Sequence, residues 1–174
     1  MLPVGWLVVA VVVAILLSMW ITFTLTRLDR LHARVDAARA ALDAQLVRRA
    51  AALLHIVEAP ETPLDPAERA RLQAVAFSAT SAERPERREG VENAVGRAVT
   101  HLAAGPGITA AATAELREAA ARVQVARRFY NDAVRDTRTL RARRMPRLLH
   151  LAGRVELPQY FDIDDTEPPP SPPP

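Results

Sequence analysis

Cysteine is absent from this chain, which removes disulfides, thiol catalysis and zinc–cysteine centres at once. Lysine is absent too. All 23 basic residues are arginine, so a pI near 10.4 stands beside a formal net charge of only +3. Aromatic residues make up 5% and glycines number six, too few for the strands and turns of a sandwich or barrel. The chain is instead rich in the helix formers alanine, leucine and arginine, with glutamate among them, the composition of long helices, and the fold class reads as all-α. Arginine without lysine, alongside abundant alanine and proline, suggests a GC-rich bacterial genome. The length allows one domain plus an anchor.

Catalytic signatures are also missing. The sequence has no phosphate loop, no GxSxG and no nucleotide fingerprint. None of the four histidines, His32, His55, His101 and His150, has a second histidine four residues on, as a zincin helix requires. Di-iron bundles need Glu-x-x-His, and only the reversed His55-x-x-Glu58 occurs. The expectation is a non-enzymatic protein with no metal and no cofactor.

One long uncharged run is present, from Val4 to Thr26. Roughly 20 apolar residues, at about 1.5 Å each, cross a hydrocarbon core of about 30 Å. Trp6 near one end and Trp20 with Phe23 toward the other suit the two interfacial belts. Ser18, Thr22 and Thr24 are tolerated because a helical hydroxyl bonds back to the preceding turn. A cleaved signal peptide would need a basic leader, a shorter apolar stretch and an Ala-x-Ala-like site, and the sequence has none of these. No basic residue precedes the run, whereas Arg27, Arg30, Arg34 and Arg39 follow it. The positive-inside rule then leaves residues 1–3 outside, 4–26 in the membrane and the rest in the cytoplasm, a single-pass protein of a bacterial inner membrane.

Past the span, Leu28, Leu31, Val35, Ala38, Leu42, Leu46, Leu53 and Ile56 recur in steps of three and four, a coiled-coil-like seam with Arg49 in the vacant place. It runs on from the membrane helix to about Glu58, where Pro60, Pro63 and Pro66 end it. Asp65-Pro66 is a helix start, Asp as N-cap and Pro at the first position. Apolar positions continue through Leu72, Val75 and Ala79 and resume at Val91, Val95, Val99 and Leu102. Pro85 lies between the two sets, and Ala-Ala-Gly-Pro-Gly at 103–107 is a stop. A third helix from near Thr109 to about Arg144 carries Leu116, Ala119, Val123, Ala126, Tyr130, Ala133, Thr137 and Leu140 on one stripe. Length matching favours three antiparallel rods of about 50 Å with the middle one kinked at Pro85, closed by a short fourth helix at 147–153. The bundle is expected over 27–154. An acidic, proline-rich disordered tail occupies 155–174, with Leu157–Ile163 as an apolar strap within it.

The run Ala126, Arg127, Arg128, Tyr130, Asn131 and Val134 resembles the ARRxYNxxV signature of the LemA family, and Met145-Pro146 stands where that family has an aromatic-Pro pair. Upstream, Arg48-Arg49 is similar to the basic pair of the family's other block, although Ala51, Leu54 and His55 stand where Asp, Pro and Asn are usual. The resemblance covers about residues 1–165. It implies an N-out anchor and a cytoplasmic helical bundle, and no established activity.

Charge is distributed unevenly. Residues 109–154 hold eleven arginines against four acids, whereas 155–174 hold five acids and no arginine. Arg127, Arg128, Arg141, Arg143, Arg144 and Arg147 are the candidate contacts for a partner protein or for anionic lipid headgroups. A solvated helix end complementing its own dipole is the plainer account. Nucleic acid is not expected, because aromatic interleaving is confined to Phe129-Tyr130. Tyr130 falls on the seam and Asn131 beside it, and the two are expected to clamp the bundle internally, a binding site being the alternative reading. Two functions follow: a membrane-anchored scaffold or adaptor, self-associating or not, and a membrane-organising protein whose arginine-rich helix binds lipid.

Overall fold

The computed structural model describes residues 4–81, 85–142 and 157–164. They form four helices, α1 (Val4–Glu58), α2 (Pro66–Ser81), α3 (Pro85–Ala104) and α4 (Ala110–Arg141), and no strand. The helix starts follow from local chemistry. Asp65 Oδ1 accepts from the N–H groups of Ala67 at 2.9 Å and Glu68 at 3.0 Å, which caps α2 as its Asp-Pro pair foretold. Thr109 Oγ1 does the same for Ala112 at 3.1 Å and opens α4.

The end of α1 is equally well tied. Its last carbonyls lack helical partners, and two neighbours supply them. Thr62 donates its hydroxyl to the Ile56 carbonyl at 2.6 Å, and the Arg69 guanidinium donates to Val57 as well as to Thr62 at 3.0 Å. A cation there also complements the negative end of the helix dipole. The turn before α4 depends on Gly107, whose φ is +81° and whose missing Cβ would lie 2.7 Å from Pro63 Cγ. Conformation and space both exclude a side chain at that position.

The expected kinked middle helix is instead two helices folded back on each other. α2 packs along α3, and Glu68 in the first turn of α2 lies 3.0 Å from His101 in the last turn of α3. Pro85 is the first residue of α3, where a missing N–H costs nothing and a fixed φ suits the helix. Residues 147–153, expected as a short fourth helix, lie outside the described residues.

The chain divides into two compact units. The first joins the beginning of α1 to the end of α4. Its most apolar stretch is an α1 segment long enough to cross a membrane and wholly exposed. Thr22 and Thr24 donate their hydroxyls to the carbonyls four residues back, both at 2.9 Å, as expected of helical threonines in an apolar run. Leu28 and Val35 of α1 and Ala133, Val134 and Leu140 of α4 are buried in this unit, and Arg34 pairs with Asp136 at 3.0 Å on its surface.

The second unit runs from Ala38 to Asn131 and takes in the chain again from Tyr160. All four helices contribute to its core: Leu53, Ile56 and Val57 from α1, Leu72 and Ala76 from α2, Val95, Val99 and Leu102 from α3, and Leu116 from α4. The seam predicted on α1 is the buried face, Arg49 included.

Candidate partner-binding face

The α1 seam carries a cation where its period calls for an apolar residue, and the structure shows how that is accommodated. Arg49 is 4% exposed, and its Nη2 donates to both the carbonyl oxygen of Glu92 at 2.8 Å and its carboxylate at 2.9 Å. Glu92, 1% exposed, is also approached by Arg88 Nε at 3.9 Å, and Arg88 reaches Asp43 at 3.3 Å. Asp43, Arg88, Glu92 and Arg49 thus form an alternating charged row between α1 and α3. Burial pushes the Glu92 carboxyl above its ordinary value against the pull of Arg49, and it lowers the Arg49 guanidinium against the pull of Glu92. Desolvation is the larger effect on both partners, as expected of an ion pair taken out of water. Glu92 was legible in principle. Followed backwards, the α3 series Leu102, Val99, Val95 steps by three and four onto Glu92 and then Arg88.

Over the same helix lies a strap. Residues 157–164 have no regular secondary structure, yet the last four are held through their backbone. Asn131 donates Nδ2–H to the Phe161 carbonyl and accepts the Phe161 N–H on Oδ1, both at 3.0 Å. Glu89 accepts the Asp162 N–H at 2.9 Å, and Asn93 accepts the Asp164 N–H at 2.8 Å. Ile163 is 5% exposed, whereas Asp162 and Asp164 on either side face solvent. A Cβ built on Gly96 would stand 3.6 Å from Arg49 Nη1 and 4.0 Å from the Asp164 carbonyl, so the strap passes beside the buried charge row.

The sequence-predicted site residues fall as follows. Tyr130 is buried, and desolvation raises its hydroxyl above the ordinary value despite Arg39. Asn131 is bonded through its amide to the backbone of Phe161 in the strap. Arg127 turns toward the strap, with Nη1 3.7 Å from Asp162. Arg128 is exposed on α4, and Arg141 is half-buried in its last turn. Arg143, Arg144 and Arg147 lie outside the described residues. Sequence reasoning missed Glu89 and Asn93, which are an ordinary helix-surface pair until the strap is known.

A second exposed feature is a shallow groove of about 530 Å³ between Ala38, Ala41 and Gln45 of α1 and Ala121, Val125 and Phe129 of α4. Phe129 is 64% exposed there. His55 meets Glu115 at 3.5 Å, and among the described residues no three histidine or carboxylate side chains group as metal ligands.

Comparison of the chain with protein-family models, with curated proteins and with solved structures finds no match in any of them.

Proposed function

We propose that this chain is a non-enzymatic, membrane-anchored scaffold or adaptor of the LemA type, which organises protein partners at the cytoplasmic face of a bacterial inner membrane. One observation carries the reading. α1 is a single 55-residue helix whose apolar, exposed beginning suits a bilayer and whose last turns, from Ala50 to Val57, build the core of the helical unit. A helix with both stretches serves as membrane anchor at its beginning and as part of a folded domain at its end. The finer architecture belongs to the same reading. It is an antiparallel bundle, supported by the pairing of His55 near the end of α1 with Glu115 near the start of α4. The amino terminus is outside, supported by the arginines that follow the apolar run.

Affinity purification from mild detergent tests the function. Wild type is compared with a variant in which Arg141, Arg143, Arg144 and Arg147 are all changed to Glu, and mass spectrometry identifies the retained proteins and lipids. The expected result is a stoichiometric protein held by wild type and lost from the variant. If the same proteins stay with both and only anionic lipid drops, the chain is a membrane-organising protein. If no stoichiometric protein is found with either, the adaptor reading fails.

A further inference from the structure

We propose that the face of α3 and α4 carrying Glu89, Asn93, Arg127 and Asn131 is a recognition site for an extended acidic peptide segment. In this chain it is filled by Phe161–Asp164, and it is open to a matching segment of a partner protein. The inference rests on the adaptor reading and adds to it a second point of contact with the partner, besides the arginines at and after the end of α4.

The contacts are those of peptide recognition. Asn131 offers one donor and one acceptor to the carbonyl and N–H of a single residue, Phe161, which is what a neighbouring β-strand would supply. Glu89 and Asn93 take the N–H groups of Asp162 and Asp164, two residues apart. Side chains from two helices therefore read the main chain of an extended segment, and backbone bonds of this kind give affinity for many sequences. Selectivity comes from the alternation. Ile163 points inward and is buried, Asp162 and Asp164 point outward, and Asp162 lies toward Arg127. The ligand is an extended segment with an aliphatic residue between two acids, preceded by an aromatic one.

Such a segment is held lightly. Of the eight strap residues described, Ile163 is the one buried, while Leu157 and Tyr160 are about half exposed. Few apolar contacts and backbone bonds near solvent mark an element that opens at far lower cost than the core. The tether works as a competitor, because a site mostly filled by its own chain binds an outside ligand in proportion to the fraction open.

The test uses the full-length chain in detergent and a fluorescent peptide of residues 159–165 (QYFDIDD), followed by anisotropy, with a scrambled peptide as control. The strap is weakened in the chain by Phe161→Gly with Ile163→Asp. The peptide is expected to bind this variant at least ~10-fold more tightly than wild type. Adding Asn131→Ala should abolish saturable binding. Absence of binding to a weakened chain that keeps its helical signal and cooperative melt would overturn the proposal, as would binding that survives Asn131→Ala. Should the weakened chain not fold, hydrogen exchange on wild type decides. Amides of Asp162 and Asp164 are expected to exchange on the order of 100-fold faster than those of Leu53 and Leu102. Equal protection would make the strap a permanent part of the core and overturn the site. A wild-type dimer made by exchanging straps between copies, seen as a doubled mass, would replace the partner with a second copy. The adaptor reading is separable. Peptide binding lost while a stoichiometric protein still co-purifies removes this site alone, and peptide binding without any co-purifying protein removes the adaptor.

Discussion

Leu53 and Arg49 sit one turn apart on the same buried seam of α1, and their surroundings differ in kind. Around Leu53, four helices contribute Val57, Leu72, Val95, Leu102 and Leu116, a closed apolar cluster. Around Arg49 the same two helices, α1 and α3, meet through Glu92, Arg88 and Asp43, and a strap held by polar side chains passes alongside. The apolar end is held by water exclusion, which is non-directional and tolerates exchange of similar shapes. The charged end depends on geometry, because each buried charge has an assigned partner and a missing partner leaves an uncompensated ion. Stability belongs mainly to the first. The second offers a way to fix register, a role that the variants below test.

The largest effects should come from breaking one side of the charged row. Glu92→Ala leaves Arg49 buried and unpaired and should cost about 3–5 kcal/mol in chemical denaturation. Leu53→Ala, a cavity in the apolar end, should cost about 2–5 kcal/mol. The contrast sharpens in the double variant Arg49→Met with Glu92→Leu, which removes both charges together. It should recover most of the loss seen for Glu92→Ala, because replacing a buried pair by apolar residues is often neutral or stabilising. A double variant as unstable as Glu92→Ala would mean that the row contributes net stability. Asn131→Ala removes two hydrogen bonds from a partly solvated strap and should cost about 1–3 kcal/mol, with exchange of the Phe161–Asp164 amides accelerated before that of the core. The smallest effect should be a gain. Gly96→Ala places a Cβ at ordinary contact distance from Arg49 and Asp164, and the helix propensity of alanine should raise stability by about 0.5–1 kcal/mol.

How far the sequence revealed this follows from the same contrast. The apolar run of α1, the seam from Leu28 to Ile56, the Asp65-Pro66 start and the α4 stripe were all readable, because each is a local signal of period, cap or charge. The hairpin of α2 and α3 was not. Pro85 suits the first turn of a new helix as well as it disrupts an old one, and only tertiary packing decides between them. Period tells which face of a helix is buried but not against what, so Arg49 could be seen on the seam while Glu92 went unnamed. Asn131 was noticed only for its place beside Tyr130 on the α4 stripe. Its partner, thirty residues downstream, carries no local mark that points back to it.

The central proposal is that α1 crosses a membrane once, with the amino terminus outside and the carboxyl terminus inside. A chain without cysteine permits a direct test, since any introduced thiol is the only one present. Leu2→Cys and Ser171→Cys are made separately in the full-length chain, and intact cells are treated with a membrane-impermeant maleimide before and after permeabilisation. The account predicts a chain that resists alkaline extraction, labelled at Leu2→Cys in intact cells and at Ser171→Cys only after permeabilisation. Labelling of Ser171→Cys in intact cells, or release of the chain by alkali, would contradict it.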